Sequence, residues 1–391
     1  MKRRSGVVAA LVAMVAALVA IVATTATAKS SAPAAKSAAG RALVSCKRGA
    51  TIGFAVPATG PAASLGQPQR RWARFFVTRW NATHKKFKIT MREGDTQLPN
   101  VAEATKVAQS FASNSSILGV VGPAGSQEVV GTTPILQGAG LAFVSGSATR
   151  TTLTDGSRTG FFFRVVPPDA VQGPTVARFI VNKLKKKNVL IIDDQETYST
   201  GLAADAAGTL RNLGATVSRD SVSQSASDFS ALISRISSNV QVVYIPWQLP
   251  PKAQLFAQQM REQGKRQILL SSDGTFDPST YKPAQEAYAS NFPVAAKSKL
   301  ITSYKRTHGG EPDFFGAPTY AATQVVVNAV SKACANGSAT RAEVRANIRK
   351  TNIPAAASVI GLRLRFTARG DLNGGRFGLF KVTNGNYTPV G

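Results

Sequence analysis

From residue 51 onward, short apolar runs alternate with longer segments whose apolar positions recur every three or four residues. Strand candidates lie at 52–56, 87–91, 117–122, 141–145, 188–193, 216–220, 240–245 and 267–272; most are rich in Val, Ile and Leu, while 87–91 and 216–220 carry polar residues as well. Near-continuous apolar runs of that length fit strands buried on both faces. Between them, 67–80, 100–112, 126–136, 174–185, 199–213, 228–237 and 251–263 have the spacing of amphipathic helices. Such alternation predicts α/β architecture: β-α-β units with right-handed crossovers and parallel sheets flanked by helices. About 360 residues follow the N-terminal signal segment, more than one core usually spans, so two lobes are expected. The first four strands belong to one sheet in this reading and the next four to another. Phe161 to Val166, closed by Pro167-Pro168, is a crossing strand, because proline keeps the preceding residue out of the helical region. Asn384-Gly385 between 379–383 and 386–390 suits a tight antiparallel hairpin.

Several strands end in the same loop chemistry. Ile52 to Val56 runs into Pro57-Ala58-Thr59-Gly60-Pro61, Val120-Val121-Gly122 into Pro123-Ala124-Gly125-Ser126, and Phe143-Val144 into Ser145-Gly146-Ser147-Ala148-Thr149. In open parallel sheets ligands sit outside the carboxyl ends of strands, where helix N-termini present free N–H groups. Three such ends without catalytic machinery point to a pocket for a small anionic or zwitterionic molecule. Asp193-Asp194 is a tempting acid pair, but adjacent residues on a strand point oppositely. It is read as a strand end that positions Tyr198.

The N-terminus changes the cellular context. Lys2-Arg3-Arg4, an apolar run from Gly6 to Ala23 and Ala26-Thr27-Ala28 are expected to make a secretory signal peptide over 1–28, with a retained membrane anchor as the alternative. Residues 29–47 form a disordered leader, rich in Ala, Ser and Lys at its start. Leu43-Val44-Ser45-Cys46 resembles a lipoprotein box but lies too far beyond the apolar run. In an exported chain the two cysteines, Cys46 and Cys334, are expected to form a disulfide. With His84 and His308 the only histidines, no Cys/His zinc cluster can be assembled, and neither a metal nor a cofactor is expected.

Charge adds less than its size suggests. The formal net charge is +27, and removing Lys2, Arg3 and Arg4 from the 47 basic residues, against 20 acidic, leaves +24. Such a field attracts polyanions, yet the basic residues are dispersed and no nucleic-acid-binding motif is present. A basic, solvated surface and no nucleic-acid partner is the plain reading. A G-x-S-x-G elbow is also absent, which argues against a hydrolase of that type.

Longer stretches carry a resemblance. Ile52-Gly53 with Thr59-Gly60-Pro61, Val120-Val121-Gly122-Pro123, Ser147-Ala148-Thr149, Phe163-Arg164-Val165-Val166-Pro167, Asp169-Ala170 with Gln172-Gly173, Asp193-Asp194 with Tyr198, Ser272-Asp273-Gly274 and Gly370 to Gly375 occur in order. The chain thus resembles the leucine/isoleucine/valine-binding class of type I periplasmic binding proteins, substrate receptors of ABC importers. The resemblance covers nearly all of 51–390. It implies two discontinuous lobes joined by three crossings, placed at 48–165 plus 294–352 and at 166–293 plus 353–391. It further implies an exported, periplasmic or cell-surface, monomeric receptor. Such a receptor closes on an amino acid or similar small carboxylate and docks on a permease.

The same resemblance assigns roles. Ser126 matches a serine that receives the ligand carboxylate, against a plain N-cap role. Ser147, Ala148 and Thr149 match a loop that meets the amino and carboxylate groups, against a turn or helix start. Tyr198 matches a tyrosine that closes over the ligand. Asp273 matches the partner of the α-ammonium, against a turn-initiating Asp before Gly274. Three positions depart from the pattern. Leu65 replaces a frequent aromatic, Trp247 stands in an unusual loop as a candidate aromatic wall, and Phe315 lacks a hydroxyl. These departures leave the side chain of the ligand open. A sensor built on the same fold and a polyanion-binding surface protein remain as alternatives.

Overall fold

The computed structural model describes residues 42–292, 299–308 and 314–390. The expected signal peptide at 1–28 and the leader as far as Arg41 lie outside the described residues. The first lobe is built from β1 (Val44–Ser45), β2 (Gly49–Val56), α1 (Ala63–Thr83), β3 (Lys88–Asp95), α2 (Val101–Ser113), β4 (Ile117–Val121), α3 (Ser126–Gly138), β5 (Phe143–Ser145) and β6 (Phe162–Arg164). The chain then forms α4 (Asp169–Arg178), β7 (Asn188–Asp193), α5 (Thr197–Asn212), β8 (Thr216–Ser221), α6 (Ser230–Ser234), β9 (Val242–Ile245), α7 (Pro250–Glu262), β10 (Ile268–Ser271) and β11 (Ala287–Asn291). After them come α8 (Lys299–His308), α9 (Gly316–Ala333), β12 (Ser338–Ala339), α10 (Arg341–Arg349), β13 (Gly378–Thr383) and β14 (Asn386–Val390).

One sheet has five strands in the order β3-β2-β4-β5-β6, each neighbouring pair parallel. The other has seven, in the order β14-β13-β11-β10-β9-β7-β8. Its β7 to β11 portion is parallel, and the β13–β14 hairpin adds antiparallel to β11. Each sheet buries both faces under helices, which explains why its central strands are uniformly apolar. Helix starts follow capping chemistry. The Asn100 side chain accepts from the N–H groups of Ala102 and Glu103, and Thr340 with Glu343 closes a capping box on α10.

Four expectations change. The leader expected to be disordered over 29–47 is ordered from Val44, where β1 pairs with β12 beside the Cys46–Cys334 bridge. The helix expected at 174–185 begins at Asp169, and Pro174 sits inside it. The strand β11, Ala-Tyr-Ala-Ser-Asn, is missing from the sequence reading because its small residues carry weak strand preference; burial on both faces decides it. The expected lobe two includes the whole stretch 353–391. Instead Val359, Ile360, Leu364, Phe366 and Leu372 pack into the core around the five-stranded sheet. Only from Gly378 does the chain join the second sheet.

Cys46 and Cys334 are joined, with 2.07 Å between the sulfurs. Beside them β1 pairs with β12, and the Cys46 N–H donates to the Gly337 carbonyl at 2.8 Å. The bridge closes a loop across 288 residues of sequence. Opening it by Cys46→Ser with Cys334→Ser is expected to cost about 2–4 kcal/mol. Denaturant melts of the double variant check this, and an unchanged midpoint would contradict it.

Candidate functional site

Strand ends from both sheets converge on one narrow cleft between the lobes. Leu65 and Gln69 reach it from α1, Leu98 from the loop after β3, Ala124 and Ser126 from the loop before α3, and Ser147 from the loop after β5. Tyr198, Gln248, Asp273 and Gly274 face them from the second lobe, and Phe315 from the start of α9.

The first-lobe wall is organised by serines. Ser145 donates to the Pro123 carbonyl at 2.7 Å and accepts from the N–H groups of Ser147 and Ala148 at 3.2 and 3.0 Å. Ser147 in turn donates to the Ala124 carbonyl at 2.8 Å, which draws the two loops together. Ser126 opens α3, and its hydroxyl accepts from the Arg150 N–H at 3.3 Å. The first N–H groups of a helix lack intrahelical partners and favour a negative charge. Glu128, in the first turn of α3, accepts from the Gly125 N–H at 2.8 Å. Burial pushes its carboxyl up to about 7, against the pull of the Thr96 hydroxyl and the Gly125 N–H.

The second-lobe wall is acidic. Asp273 Oδ1 accepts from the Tyr198 hydroxyl and from Gln172 Nε2, each at 2.6 Å. Among the described residues no side chain donates to Oδ2. Burial raises Asp273 to about 6, against the lowering effect of those donors. Burial, reinforced by the charge of Asp273, also raises Asp169 well above the usual carboxylate range, and keeps the Tyr198 phenol protonated. Gly274 lets these parts meet. A Cβ there would lie 2.5 Å from the Trp247 carbonyl oxygen and 3.1 Å from the Tyr198 ring.

These raised carboxyls predict a pH trend for the free protein. A carboxyl whose folded pKa exceeds its unfolded value favours folding fully below the unfolded pKa, and the benefit is lost as pH rises through the folded one. Asp273 and Glu128 place that loss between about pH 4 and pH 7. The melting temperature should therefore rise when pH falls from 7 to 5. A flat or opposite trend over that window would contradict the burial of both groups as acids.

The lobes also touch directly across the cleft. Gln127 Nε2 donates to Gln248 Oε1 at 2.7 Å, Thr151 donates to Asp205 at 2.6 Å, and Arg150 donates to the Thr197 carbonyl. Residues 49–385 match the family described as periplasmic binding protein. The chain belongs to that family.

Relatives agree with it. An amino acid binding protein of Pseudomonas aeruginosa is 29% identical over 307 residues, covering 75% of this chain and 81% of that protein. The Leu/Ile/Val-binding protein BraC3 of Rhizobium johnstonii is 29% identical over 354 residues, covering 87% and 93%. A crystal structure of a leucine binding protein, LivK, from Thermotoga maritima has a TM-score of 0.77 at 24% identity, covering 88% of this chain and 98% of the other. The fold is the two-lobed type I arrangement, and the family binds solutes outside the cytoplasm rather than transforming them.

Within this periplasmic binding protein, Leu65, Ser126, Ser147, Tyr198, Asp273 and Phe315 line the cleft together. Ala148 is buried beside it, its N–H held by Ser145. Thr149 is also buried, and its carbonyl accepts from the Asp169 N–H at 2.8 Å. Trp247 does not form the expected wall. It packs against Phe229 and Phe256 in the second lobe's core, and its indole N–H donates to the Ile192 carbonyl at 2.8 Å. The next residue, Gln248, takes the wall position, with its N–H on Asp194 Oδ2 at 3.2 Å. Asp193 points the other way, to Arg219 at 2.8 Å. Gln69 and Leu98 were also missed. Gln69 follows Leu65 by one helical turn, a signal that was present but looked like a solvent-facing amide.

Proposed function

We propose that this protein is the extracytoplasmic receptor of an ABC importer, gripping an α-amino acid or a close relative between its lobes. The carrying observation is the opposition of two complementary walls in one cleft: the serine-lined start of α3, and Asp273, to whose Oδ2 no side chain among the described residues donates. The helix start and the hydroxyls of Ser126 and Ser147 receive the carboxylate. Asp273 pairs with the ammonium, a charge-assisted bond stronger than a neutral one. Because the two charges of the ligand engage different lobes, its binding energy favours closure; a ligand touching one lobe would shift little. The closed monomer then presents a surface for permease subunits. Relatives named for amino acid and Leu/Ile/Val binding support this reading. The lobes divide near 165–168 and again between Leu372 and Gly378, with 353–372 in the first.

Thermal shift against pooled amino acids tests the proposal. At 100 times its Kd a ligand stabilises the fold by about 2.7 kcal/mol. The shift should vanish in Ser126→Ala. Silence across the pools, with tight, salt-sensitive binding to polyanions, would favour the basic surface as the functional feature instead.

A further inference from the structure

We propose that the ligand's side chain ends in a hydrogen-bonding group, an amide or a hydroxyl, read by Gln248 and Gln69. This deepens the amino-acid reading above and rests on it. Both glutamines line the cleft, one from each lobe, and they are only 6% and 3% exposed. Each has one committed amide end. Gln248 Oε1 accepts from Gln127 Nε2 at 2.7 Å, and Gln69 Nε2 donates to Ser147 Oγ at 3.1 Å. The opposite ends, Gln248 Nε2 and Gln69 Oε1, have no hydrogen-bond partner among the described residues. Unlike Gln127 Oε1, neither is sealed off by protein atoms.

Exchanging O and N within the Gln127–Gln248 pair keeps their mutual bond and turns the free end of Gln248 from donor to acceptor. An amide or hydroxyl satisfies either arrangement, and a methyl group satisfies neither. Leu65, Leu98 and Phe315 supply an apolar wall for the stem of such a side chain. A branched aliphatic ligand would instead press against two buried amides and leave both unpaired. Sites with buried polar groups discriminate strongly against analogues that cannot pair them.

The test is calorimetric titration of the full chain with glutamine, asparagine, serine and threonine against leucine, isoleucine and valine. At least one polar amino acid should bind about tenfold or more tighter than every aliphatic one. In Gln248→Met, which keeps the volume, that preference should shrink to about threefold or reverse. An aliphatic amino acid binding tightest to the native chain would overturn the inference and leave the amino-acid reading standing. A polar preference unmoved in a Gln248→Met protein that still melts cooperatively would overturn the role of Gln248. Failure of every amino acid in the panel would overturn the side-chain inference, and failure of all twenty amino acids would overturn the amino-acid reading with it. The native ranking decides the matter even if the variant does not fold.

Discussion

Asp273→Asn lowers amino-acid affinity by about 30-fold to a few thousand-fold, while raising the melting temperature of the free protein. The first effect follows from removing one partner of a desolvated charge pair, which costs about 2–5 kcal/mol. The second has the opposite sign because the free protein keeps this carboxyl buried against its preference, at a pKa raised to about 6. Asparagine preserves an oxygen for Tyr198 and Gln172, so the local bonds survive. The same argument fixes the pH dependence of binding. An ammonium stabilises the ionised acid, so binding releases a proton near pH 6, and affinity falls up to about tenfold per unit as pH drops below that. Stability of the free native protein moves the other way over the same window. Titrations at pH 5, 6 and 7 check both trends, and in Asp273→Asn the pH dependence of affinity should flatten.

Arg164→Leu is expected to destabilise the fold by about 3–5 kcal/mol, the cost of breaking an ion pair whose guanidinium is fully buried and stranding its half-buried carboxylate partner. Arg164 is fully buried and paired with Asp371 at 2.7 Å. It also donates to the Arg150 carbonyl and the Thr154 hydroxyl, each at 2.8 Å, and to the Ala148 carbonyl at 3.4 Å. One guanidinium thus fastens β6 to the Ser147-bearing loop and to the late segment that returns to the first lobe. Burial lowers its pKa, and Asp371 opposes that shift. Arg164→Lys should rescue little, because an ammonium cannot reach this set of acceptors in one plane. Arg164→Leu with Asp371→Leu should lose less than the single change, since it removes the stranded carboxylate. Urea melts of the three variants give the ordering; equal midpoints would contradict it.

The architecture was legible where burial is symmetrical. Strands such as β4 and β7 are Val, Ile and Leu runs because both faces are covered, and that pattern survives in one dimension. Strand β11 was illegible because Ala and Ser say nothing about burial on their own. The lobe membership of Leu364, Phe366 and Leu372 depends on long-range packing, and local spacing does not encode it. In the cleft, Ser126, Tyr198 and Asp273 were legible through the family resemblance, and the helix start at Ser126 agrees with it. Trp247 reads as a candidate wall in the sequence because aromatic residues often line pockets. Which of two neighbours after a strand end turns inward is decided by the core behind it, here Phe229 and Phe256. Gln69 escaped notice for the converse reason, an amide on a helix whose polar face passes for solvent exposure.

The central claim is that one ligand carries a carboxylate to α3 and an ammonium to Asp273. Calorimetry with the tightest amino acid, its analogue lacking the amine and its analogue lacking the carboxylate tests this most directly. The account predicts tight binding of the zwitterion and at least about 30-fold weaker binding of each analogue, with Asp273→Asn narrowing only the gap to the analogue lacking the amine. Equal affinity for the zwitterion and the analogue lacking the amine would contradict it.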